Sequence, residues 1–314
     1  MTGRTVKIFL VDGIPGGLIT AEIMNWTGRF TVAPRSQLAD LALRDELKRT
    51  GVYFLTGRDP IDPSQEIVYI GESDHIWNRL TQHNKAADKE FWEKTIIVTS
   101  KDENLTKAHG RYLESRLIQI ANQAKRARVI NGTSPEITSL PEPDIADMEY
   151  FLEQIQMILP VLGFTFANPL PSVKNAPTPE GSKVISPVFC LTYAGARAKA
   201  QEINGEFVVL EGSLARKANT NSLADSYIHM REKLVKDGNL ADSPNHDFWI
   251  FTQNVPFQSP STAANIVGGA SLNGRQHWKV QGTSQSYAKW SEEQIEKAGN
   301  IAAVNQEELY ASEQ

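Results

Sequence analysis

Four prolines, Pro169, Pro171, Pro177 and Pro179, fall close together just past the middle of the chain. Each fixes φ and lacks a backbone N–H, and each disfavours the helical conformation of the residue before it. No helix or strand ladder runs through such a stretch, so residues 168–182 read as a linker. The 314 residues then divide into two folded units, in keeping with roughly 150 residues per domain. A 40 % apolar content supplies both with a core.

The net charge of -5 hides an uneven distribution. Residues 1–131 carry +3, 132–182 carry -6, 183–285 carry +2 and 286–314 carry -4. The acidity belongs to the connector and the tail, and the two units are mildly basic, which permits contact with phosphates without demanding it. No apolar run approaches the roughly 18 residues of a spanning helix. The best, Met157 to Leu170, is broken by Pro160 and Pro169. The N-terminal apolar run is too short for a signal peptide, so a soluble, cytoplasmic protein with no membrane partner is expected. The lone cysteine, Cys190, excludes internal disulfides and multi-cysteine zinc sites. It sits in an apolar run and is expected to be a buried, inert thiol.

Pattern reading gives five segments: residues 1–49, 50–132, 133–182, 183–285 and an acidic tail, 286–314. In the first, residues 7–11 and 18–23 flank a Gly/Pro turn and read as a hairpin. Ser36 is expected to cap a helix reaching Arg49. In the second, Gly51–Thr56 and Glu66–Gly71 are strands joined by a turn-rich loop. A helix capped by Ser73 or Asp74 reaches His83, Thr95–Thr99 is a strand, and a longer helix capped by Asn104 reaches Arg126. A short strand over Arg128 to Asn131 follows. In the third, Pro135, Pro141 and Pro143 mark an irregular stretch, and Asp144 to Leu159 reads as a lone amphipathic helix. In the fourth, Phe207–Leu210 and Phe248–Phe251 read as strands, and Ser222–Lys236 and Ser261–Val267 as helices. Asn273-Gly274 is expected to make a tight turn before a strand carrying Trp278.

The polar residues of the second segment carry the chemistry. Pairing of its first two strands puts the phenols of Tyr53 and Tyr69 on one sheet face. Arg79 and His83, four apart, share a helix face. Glu114 lies between Leu113 and Leu117 on the longer helix, where a carboxylate is partly buried. Asn131 precedes Gly132 at the segment's end. His75 and His109 read as ordinary helix-end or surface positions, and Trp77 and Trp92 as core. Arg111, Arg116, Lys125, Arg126 and Arg128 form either a strip for a nucleic-acid backbone or a solvated helix face.

Gly51-Val52-Tyr53, Tyr69-Ile70-Gly71, Asn78 to His83, Leu113 to Ile118 and Asn131, in this order, resemble the GIY-YIG nuclease family over residues 50–132. Val52 stands where the family's name has isoleucine; both are β-branched strand formers. The resemblance implies an α/β (α+β) fold with a small three-stranded mixed sheet flanked by helices. It implies Mg²⁺-dependent hydrolysis of DNA phosphodiester bonds, with Mn²⁺ as a substitute ion. Tyr53 would be the base or water-positioner, assisted by His83, and Tyr69 a phosphate or metal-water partner. Arg79 would place a positive fork beside the phosphate, Glu114 would hold the metal, and Asn131 would maintain the geometry. A phenol with pKa of about 10 is a poor base at neutral pH, so a neighbouring cation and imidazole are expected to favour its ionised form or relay its proton. Which of Tyr53 and His83 takes the proton first stays open.

Phe207 to Ser213 and Phe257 to Trp278 resemble the domain of unknown function DUF4357, and the latter also looks like the restriction-enzyme-and-adenine-methylase-associated domain. That implies a smaller α+β unit that targets DNA, including modified DNA; a dimerisation or packing role is the plainer reading. Together the resemblances imply a restriction or anti-phage enzyme acting on double-stranded DNA, with a methyltransferase or defence-system partner and a homodimer or sequential nicking for two-strand cleavage. An RNA or repair nuclease, a homing or transposon enzyme, and a catalytically silent nucleic-acid-binding protein are the alternatives.

Overall fold

The computed structural model describes residues 3–60, 65–132, 139–168, 186–203 and 205–297. The Pro-rich linker from Pro169 onward, the stretch around Pro135, and the tail beyond residue 297 lie outside the described residues. Two units emerge, Met1–Pro169 and Leu170–Gln314.

The first unit is built on seven strands: β1 (Val6–Leu10), β2 (Ile19–Ile23), β3 (Gly28–Pro34), β4 (Gly51–Arg58), β5 (Glu66–Ser73), β6 (Lys94–Ser100) and β7 (Arg128–Val129). They lie in the order β1-β2-β3-β6-β4-β5-β7. All neighbours are antiparallel except the short parallel pair β5–β7. The expected strands β4, β5 and β6 lie side by side, but the sheet is larger than the expected three. The difference comes from β3, a strand the sequence reading missed. It pairs with β6 along its whole length, from Gly28↔Ser100 to Pro34↔Lys94, and so fuses residues 1–49 to the same sheet. Phe30 and Val32 bury on one face, Thr31 and Ala33 on the other.

The helix expected from Ser36 to Arg49 is instead a 3-10 turn at Arg35–Gln37, a short helix α1 (Leu38–Leu41) and a second 3-10 turn at Asp45–Lys48. Leu41 and Leu47 are both buried while Leu43 is 83 % exposed. Positions six apart do not share a face of a continuous α-helix, so the break brings both leucines down. Three longer helices follow: α2 (Ile76–Asn84), α3 (Lys107–Ala124) and α4 (Glu142–Val161). Neither Ser73 nor Asp74 caps α2; His75 holds the N-cap position without a side-chain bond. Thr106, not Asn104, caps α3. Its hydroxyl accepts from the His109 N–H while the His109 ring accepts from the Thr106 N–H, a reciprocal capping box.

Helices cover both faces of this sheet. On one, α3 and α4 pack Leu113, Leu117, Phe151 and Ile155 onto Val52, Phe54, Val68 and Ile70. On the other, α2 and the Leu41–Leu47 segment pack onto Tyr53, Leu55, Ile67 and Ile97. Strand β4 is therefore buried from Gly51 through Gly57, which is why it reads as a continuous apolar run. Far from being a lone helix in a connector, α4 supplies part of this core. Arg116 of α3 makes a two-pronged ion pair with Glu149 of α4, Nε–Oε1 2.6 Å and Nη2–Oε2 3.0 Å. With Arg128 on Asp59 at 2.9 Å and Arg126 donating to the Asn168 carbonyl, the anticipated basic strip is largely engaged in holding the unit together.

The second unit contains β8 (Phe189–Tyr193), β9 (Ala196–Ile203), β10 (Glu206–Val209), β11 (Leu214–Arg216), α5 (Asp225–Lys236), β12 (Leu240–Asp242), β13 (Phe248–Phe251), β14 (Val255–Phe257), α6 (Pro260–Gly268), α7 (Gly274–His277) and β15 (Lys279–Val280). The strands form a sheet of order β14-β10-β9-β8-β15 and a second of order β11-β13-β12. Ser259, one residue before Pro260, caps α6 in place of the expected Ser261. Asn273-Gly274 opens the short α7 rather than a hairpin, and Trp278 buries completely with its indole N–H on the Pro260 carbonyl at 2.9 Å. The tail is not acidic fringe throughout: residues 287–297 are helical, and Tyr287 and Trp290 pack edge-on against Phe189 at 5.2 Å. Cys190 is half-buried, not fully buried, because it alternates with the inward-facing Phe189 and Leu191.

Arg231 of α5 is the unit's most buried charge, at 1 % exposure. Its guanidinium donates to the carbonyls of Ile266, Arg216 and Lys217 and stacks over the Trp249 ring at 4.9 Å. Ile266 lies in the last turn of α6, where the helix dipole favours a cation.

Candidate active site

The pairing of β4 with β5 sets Tyr53 opposite Gly71 and Leu55 opposite Tyr69. Both phenols consequently lie on the α2 side of the sheet, diagonal to one another, with ring centroids 6.2 Å apart. Gly71 is required beneath Tyr53, since a Cβ there would meet the phenol ring and oxygen at 2.4 Å. Gly51 is required at the head of β4, where a Cβ would meet the Val98 carbonyl at 2.3 Å. The two glycines of the paired tripeptides thus have a steric basis.

From α2, the buried His83 turns toward this pair. Its Nε2 and the Tyr53 hydroxyl are hydrogen-bonded at 2.8 Å, and its ring meets the Tyr69 ring edge-on at 5.0 Å. Burial, then the charges of Arg79 and Lys89, push the His83 pKa down to about 4. The imidazole is neutral at pH 7, and the tautomer with Nε2 unprotonated makes the phenol the donor. Tyr53 has no exposed surface. Burial, reinforced by Tyr69, raises its pKa and outweighs the opposing charge of Arg79. That corrects one branch of the sequence expectation: Tyr53 rests as a phenol, not a phenolate, and a base role needs a relay to His83.

Arg79, one helical turn before His83, is mostly exposed and donates to Gln82 Oε1 at 2.9 Å. Its charge acts on Tyr53 and Tyr69 on one side and on Glu72 and Glu114 on the other. Those carboxyls belong to the opposite, α3 side of the sheet, because Glu72 shares its face with Val68 and Ile70. Arg79 is thus within electrostatic reach of both groups, and β7 covers the edge of β5 only at Ile67 and Val68.

Beyond β7, side chains complete that edge. The Ile130 N–H donates to the Val68 carbonyl at 3.0 Å. Asn131 then acts as a surrogate strand, with Oδ1 accepting from the Ile70 N–H at 3.1 Å and Nδ2 donating to the Ile70 carbonyl at 2.6 Å. The next outward backbone amide, that of Glu72, faces the Glu114 carboxyl of α3 and favours its charged form. Asn131 and Glu114 are therefore held in series along one strand. Burial and the neighbouring Glu72 charge push the Glu114 pKa up to about 7. Burial also raises Glu72, whose Oε2 is buried without a hydrogen-bond partner.

Two half-buried carboxyls, one with an unpartnered oxygen, suit a hard divalent cation such as Mg²⁺, which takes oxygen ligands and keeps several waters. Among the described residues no set of three or more His, Cys, Asp and Glu gathers as a metal group; a Mg²⁺ ion carried by one or two carboxylates needs none.

Sequence reasoning missed two members of this neighbourhood. Glu72 directly follows Tyr69-Ile70-Gly71, and its position on β5 beside Glu114 emerges only from the packing of α3. Lys89 lies in a polar run that resembles a solvated turn. It is 7 % exposed, with Nζ 4.4 Å from the Tyr69 ring centroid and paired with Asp88 at 2.8 Å. Of the residues read as bystanders, Trp92 is core and Trp77 packs against it. His109 belongs to the α3 cap.

Residues 188–291 match the family described as Domain of unknown function (DUF4357). The match lies in the second unit, where the sequence resemblance to that family fell, and runs past residue 285, the expected end of the domain, to take in the helical turn bearing Trp290. No curated protein and no solved structure matches the chain. Among the described residues no helix is long and apolar enough to cross a membrane.

Proposed function

We propose that the first unit is a Mg²⁺-dependent endonuclease of the GIY-YIG type and that the second directs it to double-stranded DNA, in a restriction or anti-phage setting. The observation that carries this reading is the hydrogen bond between the buried Tyr53 hydroxyl and the neutral His83, at 2.8 Å, beside Arg79. It forms a two-step proton path. In this reading a water admitted to the Tyr53 hydroxyl when DNA binds, since the free protein buries that side chain fully, would lose its proton to the phenol oxygen as the phenol passes its own to His83 Nε2. Neither group need ionise alone; the net acceptor is then the His83 imidazole, which burial and the nearby cations keep a weak base, with a pKa of about 4. Arg79 is placed to meet the charge that builds on the phosphoryl oxygens. Glu114, with Glu72 beside it, would hold the cation, which supplies Lewis-acid stabilisation of the phosphate and the leaving oxygen when bound. Asn131 keeps the β5 edge, and hence both carboxyls, in place.

The test is incubation of the full chain with supercoiled plasmid, phage DNA and RNA, with Mg²⁺ and with EDTA. Mg²⁺-dependent nicking or linearisation of DNA that Glu114→Ala abolishes supports the reading. Equal cutting by both proteins removes Glu114 from the site. Preferential cutting of RNA reassigns the substrate.

A further inference from the structure

The two edges of the seven-stranded sheet differ sharply. At one end β7 is two residues long, and the edge strands of the second unit, β11, β12, β14 and β15, have two or three. At the other end β1 runs for five residues, with Ile8, Phe9 and Leu10 exposed by 46, 63 and 36 %. Lys7 is its only charge. Such an edge presents, among the described residues, N–H and C=O groups with no strand partner, the Leu10 carbonyl alone taking a turn bond from the Gly13 N–H at 3.3 Å, flanked by apolar side chains, a ready template for another strand.

The hairpin fixes which residues present those groups. The Val11 N–H donates to the Leu18 carbonyl at 2.9 Å, so the backbone of residue 11 points into the sheet. Backbone direction alternates along a strand. Lys7 and Phe9 therefore also point inward, and Val6, Ile8 and Leu10 point outward. A second β1 approaching antiparallel must set outward residues against outward residues. The register that does so with full overlap puts Ile8 opposite its own copy, Val6 opposite Leu10, and Lys7 opposite Phe9.

Each face of that pairing is chemically matched. Val6 already packs against the core on the α3 and α4 side, so Ile8 and Leu10, on the same face, would continue that core across the junction. On the other face each lysine stem would lie along a phenylalanine ring, a favourable cation–aromatic pair. Self-complementarity of this kind is what a twofold, isologous contact requires.

We infer that β1 is a homodimer interface, with two chains joined antiparallel, β1 to β1, about an axis at Ile8. This does not rest on the nuclease reading.

The experiment is light scattering of the full chain through the micromolar range, with four variants. The wild type is expected to have the mass of two chains. Ile8→Pro removes an N–H that points away from β2, a tolerated place for proline on an edge strand, and is expected to be monomeric with an unchanged circular dichroism spectrum. Ile8→Lys keeps the strand donor and sets like charges together at the axis; it too is expected to be monomeric, which covers the case in which the proline variant fails to fold. In a Cys190→Ala background, Ile8→Cys is expected to form a disulfide-linked dimer under mild oxidation, while Phe9→Cys, two residues out of register with its copy, is not. A monomeric wild type, a dimer that survives in a folded Ile8 variant, or crosslinking favoured at Phe9 over Ile8 would overturn the inference.

Discussion

Both units bury ionisable side chains, and they bury them in opposite ways. In the second unit Arg231 donates to three backbone carbonyls and rests on an indole. Burial lowers its pKa only to about 10, so it stays charged at neutral pH. Its partners are fixed and carry no exchangeable proton. Near the β5 edge of the first unit, burial and Tyr69 raise the pKa of Tyr53, burial and Arg79 lower that of His83, and burial and Glu72 raise that of Glu114, and each of these groups can gain or lose a proton. One Glu72 oxygen has no partner. Arg231 Nε is likewise buried without a partner, so the contrast lies in the protons: a buried charge held through its terminal nitrogens by the main chain is a construction device, whereas neighbouring groups with displaced pKa values can move a proton or take up a cation.

The contrast can be broken most forcefully at Arg231. Arg231→Ala strands three carbonyls and removes the cation at the end of α6, and is expected to cost about 3–5 kcal/mol by urea denaturation of the second unit. Cutting of short, non-specific DNA by the first unit should be little changed. Glu114→Ala should behave inversely. Mg²⁺-dependent cleavage should fall about a thousandfold, equivalent to about 4 kcal/mol, while the urea midpoint falls far less than for Arg231→Ala, by no more than the loss of one contact to the Glu72 amide. A large stability loss on that substitution would make Glu114 a construction residue like Arg231.

Gly71→Ala probes the floor of the site. With a Cβ 2.4 Å from the Tyr53 ring, the ring must shift, at a cost of about 1–3 kcal/mol. Thermal unfolding and cleavage should both decline, the latter because the contact with His83 is lost.

The next effect is one of pH. Glu114 titrates near 7 in the folded protein, above its unfolded value, so without metal its contribution to stability is present below about pH 4.5 and fades as pH rises through 7. Cation binding needs the ionised carboxylate. Apparent Mg²⁺ affinity by calorimetry should therefore fall about tenfold for each pH unit below 7 and level off above it. The smallest effect is expected from Lys89→Met. Losing a cation beside the imidazole should move the His83 titration, followed by NMR, upward from about 4, with Lys89→Arg restoring it. No change would remove Lys89 from the site's electrostatics.

Much of the site was legible because its signals are local. A glycine before a strand tyrosine, a tyrosine two residues before a glycine, an arginine and histidine four apart, and a glutamate between leucines each specify an element and a face. Their order then specifies the pairing. Lys89 and Glu72 were not legible because their environments are made by other elements, β5 and α3 respectively. Strand β3 was missed since both its faces are covered and small residues alternate with large ones, which hides the two-residue period. The broken helix before β4 followed the demands of Leu41 and Leu47, which tertiary packing decided against local propensity. Arg231 resembled any charged position on a surface helix, and the carbonyls it serves come from segments up to 35 residues away.

The completion of β5 by side chains has a consequence for anyone altering this site. Glu114 carries two duties, a negative charge and a lid on the Glu72 amide, and most replacements discard both together. Glutamine preserves an oxygen for that amide while surrendering the charge. Glu114→Gln therefore parts the carpentry from the chemistry with one atom exchanged.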